Sequence, residues 1–197
     1  MINRLKALFM LMVLATASAA QAQALDPDGK IRPALLARAV EAMEARGHDG
    51  HATGKLVVVD YGQHSAKERL FVIDLESGVV SSFRTAHGLG SDPDHDGYLD
   101  TFSGKSGSQA SPEGTFRLAE EYTGKHGESY KLDGLDASNK TSRDRAIVIH
   151  AAWYAEPAFL KQHGKLGRSN GCIVFSKADL ARFIEAVPEG TLIFVGK

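Results

Sequence analysis

The chain has 197 residues, 43% of them hydrophobic and 24% charged, with 20 Gly and 6 Pro. That is ordinary globular composition and enough length for one domain with a real core. A formal net charge of −1 removes any electrostatic reason to expect nucleic acid or an anionic membrane as partner.

The first segment reads as a secretory signal peptide, residues 1–22. Arg4 and Lys6 form a positive start, Ala7 to Leu14 is an unbroken apolar run, and small residues follow. Two A-x-A cleavage sites end at Ala22 and Ala24. The apolar run is short for a membrane span, which needs about 20 residues. The expectation is therefore export, with no stable membrane insertion after cleavage. Loss of Arg4 and Lys6 takes the net charge from −1 to −3. The single Cys, Cys172, permits no internal disulfide in the oxidising compartment that export implies. A leftover thiol there is either a small buried hydrophobe or a functional group.

Residues 23–54 read as an N-terminal leader and helix, with 25–32 a polar leader. Pro33 to Arg46 is amphipathic, with Leu35, Leu36, Ala39, Val40 and Met43 on one face, Pro33 in the first turn and Gly47 as the stop. Residues 55–197 follow as the catalytic-domain candidate. Leu56–Tyr61, Arg69–Leu75 and Val79–Ala86 read as strands of a meander, with Ser77-Gly78 as a hairpin turn. Gly88 to Gly114 is a long Gly/Ser/Asp-rich connection, a length often functional. Strands resume at Thr115–Ala119, Tyr130–Leu132 and Ala146–His150. Pro157–His163 makes a short helix, and Ser176 with Asp179 resembles a capping box opening a helix to about Val187. Thr191–Val195 is the last strand. No repeat or second domain is evident, and the fold class expected is mainly β with a few helices.

Several motifs fail on their spacing. Gly104-Lys105-Ser106 lacks the Gly that a phosphate-binding loop needs at position 99, which is Leu99. Gly88-Leu89-Gly90 opens like a dinucleotide fingerprint, but Pro93 takes the third Gly position. Asp92, Asp94, Asp96 and Gly97 mimic a calcium loop, yet its twelfth position is Ser103 rather than Glu. Of the 8 His, none forms an H-x-x-x-H pair. His48 and His51, spaced three apart, sit in a Gly-rich stretch with no third ligand nearby in sequence, so neither a zinc site nor any other metal or cofactor is expected.

The informative stretch is an apolar strand, Ala146-Ile147-Val148-Ile149, ending abruptly in His150, followed later by Gly167-Arg168-Ser169-Asn170-Gly171-Cys172. A strand end holds an imidazole rigidly at the rim of a sheet. Gly171 frees the backbone before the thiol, and such a loop can aim successive N–H groups at one point. An imidazole beside a thiol of pKa about 8.5 can take its proton and make a nucleophile for acyl transfer. The bare pattern leaves the buried-Cys reading open.

His150 with Ser169-Asn170-Gly171-Cys172 resembles the H…[S/T]-x-G-C signature of the YkuD-type L,D-transpeptidase catalytic domain. Ser111-Pro112-Glu113-Gly114-Thr115-Phe116 resembles the same family's [S/T]-P-x-G-x-F turn-strand. Ala86-His87-Gly88, Tyr122 to Gly127, Leu132-Asp133-Gly134-Leu135 and Arg145 to His150 are similar to a murein L,D-transpeptidase subfamily. The resemblance covers roughly Leu56 to Val195. It implies a β-sandwich-like single catalytic domain in the cell envelope (periplasm), acting on peptidoglycan stem peptides. The thiolate would attack the carbonyl of the third stem residue and expel the terminal D-amino acid. An amine or water would then resolve the thioester.

By that resemblance Cys172 is the nucleophile and His150 the general acid/base. The Ala151 carbonyl orients the ring, and Gly171 and Cys172 supply oxyanion N–H groups. Arg168, Ser169 and Asn170 belong to the substrate-binding loop, with Ser169 ordering it by local hydrogen bonds. The chain departs from the common family form in having Asn170 where His is usual and Val174 where Arg is frequent; Arg168 is a candidate substitute for the latter. His87 and His126 are read as structural or surface residues. Two alternatives remain: an L,D-carboxypeptidase using water, and a non-catalytic peptidoglycan-binding module.

Overall fold

The computed structural model describes residues 24–197; the predicted signal peptide lies outside them. Eight strands form one mixed sheet: β1 (Lys55–Asp60), β2 (Leu70–Asp74), β3 (Val80–Phe83), β4 (Gly114–Gly124), β5 (Gly127–Gly134), β6 (Val148–Ala151), β7 (Ile173–Phe175) and β8 (Leu192–Gly196). Their spatial order is β3-β2-β1-β8-β4-β5-β6-β7. β1 with β8 and β6 with β7 run parallel, and the other pairs are antiparallel. Among the described residues, three helices of seven residues or more accompany them, α1 (Pro33–Glu44), α2 (Pro157–His163) and α3 (Lys177–Ala186), besides a single turn at His48–His51.

β1 explains why its sequence is apolar without alternation. Val57 and Val59 face an inner core, while Leu56 and Val58 face a second cluster under α1. Successive strand residues point to opposite faces, and here both faces are covered. α1 lays the predicted stripe, Leu35, Leu36, Ala39, Val40 and Met43, onto that outer face, with Pro33 in its first turn.

The sheet curls until its two edges meet. Just beyond β3, Ala86 pairs with Val174 of β7: Ala86 N donates to Val174 O at 2.8 Å, and Val174 N to Ala86 O at 3.4 Å. Phe83 and Phe175, from opposite edges, lie 6.0 Å apart in edge-to-face contact, and Phe183 of α3 packs against both at 6.0 and 5.0 Å. The predicted sandwich-like form is thus a single sheet folded over its own core. α3 starts as its capping box implies, with Ser176 Oγ accepting from Asp179 N.

Some local expectations differ from the structure. The segment 25–32, read as a polar leader, is anchored. Asp26 is 3% exposed and accepts from Ile31 N at 2.7 Å, Ile31 is buried under α1, and Arg32 forks onto Asp60. β4 and β5 run past the predicted Thr115–Ala119 and Tyr130–Leu132, as a hairpin turning at Lys125-His126. Their extension is largely exposed and polar, so it carries no apolar alternation; pairing across the hairpin makes it a strand. β7, three residues long, had no sequence signal separate from the loop before it. Among the described residues, no helix is long and apolar enough to cross a membrane.

Candidate active site

β6 sits between β5 and β7, and its end carries His150 opposite Ser129 of β5 and Val174 of β7. The parallel β6–β7 register pairs Ile149 with Ile173. Cys172, one residue earlier, therefore lies beside Val148, whose N–H donates to the sulfur. The thiol itself points at Ala146 O, 3.5 Å away. His150 and Cys172 both line one cleft of ≈ 410 Å³, with Tyr122, Lys125, His126, Arg145, Tyr154 and Arg168 among its walls.

The His150 ring is 2% exposed, and its Nδ1–H donates to Ala151 O at 3.0 Å. A carbonyl only accepts, so this bond fixes the tautomer and leaves the lone pair on Nε2. Burial lowers the His150 pKa from its ordinary value; the Ala151 carbonyl opposes this, and His126 and Lys125 add to it. Cys172 is half-buried, and burial raises its pKa against the Val148 N–H and the positive Arg145 and Lys125. At neutral pH the cleft therefore holds a thiol and a neutral imidazole.

The loop before Cys172 is held from within. Ser169 Oγ accepts from Gly171 N at 3.1 Å and donates to Cys172 O at 2.8 Å. The Gly171 N–H expected at an oxyanion is thereby already engaged, because the buried Ser169 hydroxyl lies under the turn. Gly171 has φ +116, and a Cβ there would sit 2.7 Å from Ala110 O, so no other residue fits. Arg168 Nη1 donates to Asp92 O, and exposed Asn170 accepts from Gln109 Nε2 at 3.4 Å.

Beneath this loop lies a buried polar node. Arg69 is fully buried and donates to His87 Nδ1 at 2.8 Å and to Thr85 O at 2.8 Å. An Arg only donates, so His87 Nδ1 accepts, and Nε2–H donates to Asp92 Oδ2 at 3.0 Å. Burial, reinforced by Arg69, pushes the His87 pKa down to about 4. Asp92 also accepts from Asp96 N and Gly97 N. The Asp92, Asp94 and Asp96 oxygens lie within 4.8 Å of one another, but the Asp92 carboxylate is spent on organising its own loop.

The family model for the L,D-transpeptidase catalytic domain (YkuD_2) matches residues 27–195. The chain belongs to that family. Solved structures with a similar fold include L,D-transpeptidase 3 from Mycobacterium tuberculosis, with TM-score 0.46 and 15% identity over 74% of this chain and 62% of that one. An L,D-transpeptidase from Mycobacterium smegmatis has TM-score 0.43 and 17% identity over 74% of this chain and 59% of that one. Bd1075 of Bdellovibrio bacteriovorus has TM-score 0.46 and 15% identity, over 73% and 48%. The chain spans about half to three fifths of the length of these structures. No curated protein matches it by sequence.

The structure of this family member brings together the site residues singled out from its sequence. Cys172, His150, Arg168, Ser169 and Asn170 line the cleft, with Ala151 and Gly171 in the backbone supporting it. His126, read as surface or structural, is exposed, and it also lines the cleft and stacks on His150 at 4.2 Å with 21° between the rings. His87 is structural, 1% exposed and bonded at both ring nitrogens. Sequence reasoning missed Arg145, Lys125 and Tyr154. Arg145 is braced by Ser103 O at 2.8 Å and Ala110 O at 2.7 Å and faces the sulfur. Burial, with Cys172 nearby, pushes the Tyr154 phenol up to about 12. Arg145 had one signal, its place at the head of the family-like segment ending in His150.

Proposed function

We propose that this L,D-transpeptidase is an exported, periplasmic enzyme that transfers acyl groups on peptidoglycan stem peptides through a Cys172 thioester. The observation that carries the reading is the shared cleft: an imidazole with one nitrogen tied to Ala151 O and a half-buried thiol on the adjacent strand. Among the described residues, Lys125, Arg145 and Arg168 line that cleft and no Asp or Glu does, which suits a peptide bearing carboxylates.

In the forward step the Cys172 S–H proton passes to His150 Nε2 as sulfur bonds to the carbonyl carbon of the third stem residue. The Cys172 N–H stabilises the oxyanion, and Arg145 favours negative charge on the sulfur until the S–C bond forms. Collapse breaks the C–N bond, and His150 returns its proton to the leaving D-amino acid. An acceptor amine then attacks the thioester while His150 takes its proton, and the thiol is restored. Incubation of the mature protein with tetrapeptide-bearing muropeptides tests this by mass. Crosslinked dimers support transpeptidation, tripeptides alone assign water as acceptor, and unchanged substrate without any Cys172 adduct refutes the proposal.

A further inference from the structure

Trp153, the one tryptophan of the chain, is 74% exposed. It stands in the turn Trp153–Ala155 that directly follows β6, so it is rigidly placed relative to His150. Tyr154 lies edge-to-face with it at 5.8 Å and Phe159 of α2 at 5.5 Å. α2 has no buried residue, so its Phe159 serves this surface rather than the core. Gly167 allows the arrangement: a Cβ there would lie 2.5 Å from the Tyr154 Cβ. Tyr154 is also a wall of the cleft. The aromatic surface is therefore continuous with the cleft and one ring removed from it.

We infer that Trp153, with Tyr154 and Phe159, is a saccharide platform that seats the amino-sugar unit carrying the stem peptide. This rests on the proposed function above. Three rings present far less than the roughly 800 Å² per partner of a stable protein interface. The exposed indole of Trp153, flanked edge-to-face by Tyr154 and Phe159, offers one flat apolar face that fits the C–H face of a pyranose, whose hydroxyl and amide groups remain in water. The spacing agrees as well. Two residues separate the attacked third residue from the sugar, and extended chain spans about 3.3–3.6 Å per residue. The sugar then falls roughly 7 Å or more from the sulfur's target, outside the reacting centre and on the scale of one ring beyond the cleft wall.

The single indole makes the test direct. Emission of Trp153 in the intact mature protein is titrated with β-1,4-linked N-acetylglucosamine tetramer, and kinetics are compared on disaccharide-tetrapeptide and on free tetrapeptide. The expected result is saturable change in emission. Trp153→Ala should raise KM for the disaccharide-tetrapeptide about fivefold with kcat nearly unchanged, leave free-tetrapeptide kinetics as they were, and Trp153→Phe should recover most of the loss. An unchanged emission, or equal KM effects on the two substrates, overturns the platform. So does concentration-dependent self-association lost in Trp153→Ala, which assigns the patch to a protein interface. If neither substrate is turned over, the proposed function fails, while the emission titration still decides saccharide binding.

Discussion

Two histidines of this protein are almost equally hidden, His87 at 1% and His150 at 2% exposure, yet their surroundings give them opposite parts. His87 has both ring nitrogens occupied, one by Arg69 and one by Asp92. His150 bonds through Nδ1, to a backbone carbonyl, and the residue lines the cleft that holds Cys172. Burial alone therefore does not mark a reactive imidazole. A buried ring satisfied on both sides is a strut, whereas one with a lone pair left over at a cavity wall keeps the capacity to accept a proton, the part proposed for His150.

The comparison breaks first at the sulfur. Cys172→Ala should abolish turnover and every covalent adduct while leaving the melting temperature close to wild type, read by intact mass and calorimetry. Turnover surviving this change would place the chemistry elsewhere. His150→Ala should come next, with kcat/KM down about 10²–10⁴-fold and slower alkylation of Cys172 near neutral pH. An alkylation rate equal to wild type would remove His150 from the role of base.

His87→Ala should invert the pattern. It strands a buried guanidinium and a buried carboxylate and should cost about 3 kcal/mol of stability, measured by denaturant unfolding. Alkylation of Cys172 in the fraction still folded should change little. The same node predicts an acid limb. The His87 pKa is lowered from 6.5 to about 4, so between these values the unfolded chain binds the extra proton. Its stabilising contribution is complete above pH 6.5 and is lost as the pH falls towards 4, by roughly 3 kcal/mol. His150, also lowered, acts in the same direction. A melting temperature flat from pH 7 to 4 in wild type would contradict the hydrogen-bond assignment at His87. The smallest effect is expected for Ser169→Ala, which frees Gly171 N–H and Cys172 O. It should cost about 1 kcal/mol and slow acylation several-fold, seen in the burst phase.

Much of this architecture was legible before any coordinates. The apolar runs at Leu56–Val59 and Ile147–Ile149, the stripe of α1 with Pro33 in its first turn and the capping of α3 by Ser176 are local patterns. Each depends on residues within a turn or a strand of one another, and each appears where the pattern put it. The pairing of His150 with Gly171-Cys172 was legible for another reason: only resemblance to a family raised it above the reading of Cys172 as a small core residue.

The amino-acid sequence by itself determined which residues seek the interior, where α1 and α3 begin, and which imidazole and thiol to watch. Tertiary structure alone decided that β6 and β7 lie parallel with Cys172 beside Val148, that Arg69 is buried under Asp92 and His87, and that His126 and Tyr154 reach the cleft. It also engaged the Gly171 N–H with Ser169 and anchored 25–32 through Asp26. The physical reason is that periodicity records which face of an element is covered. Which polar partner satisfies a buried group is settled between segments far apart in the chain, when the sheet closes on itself.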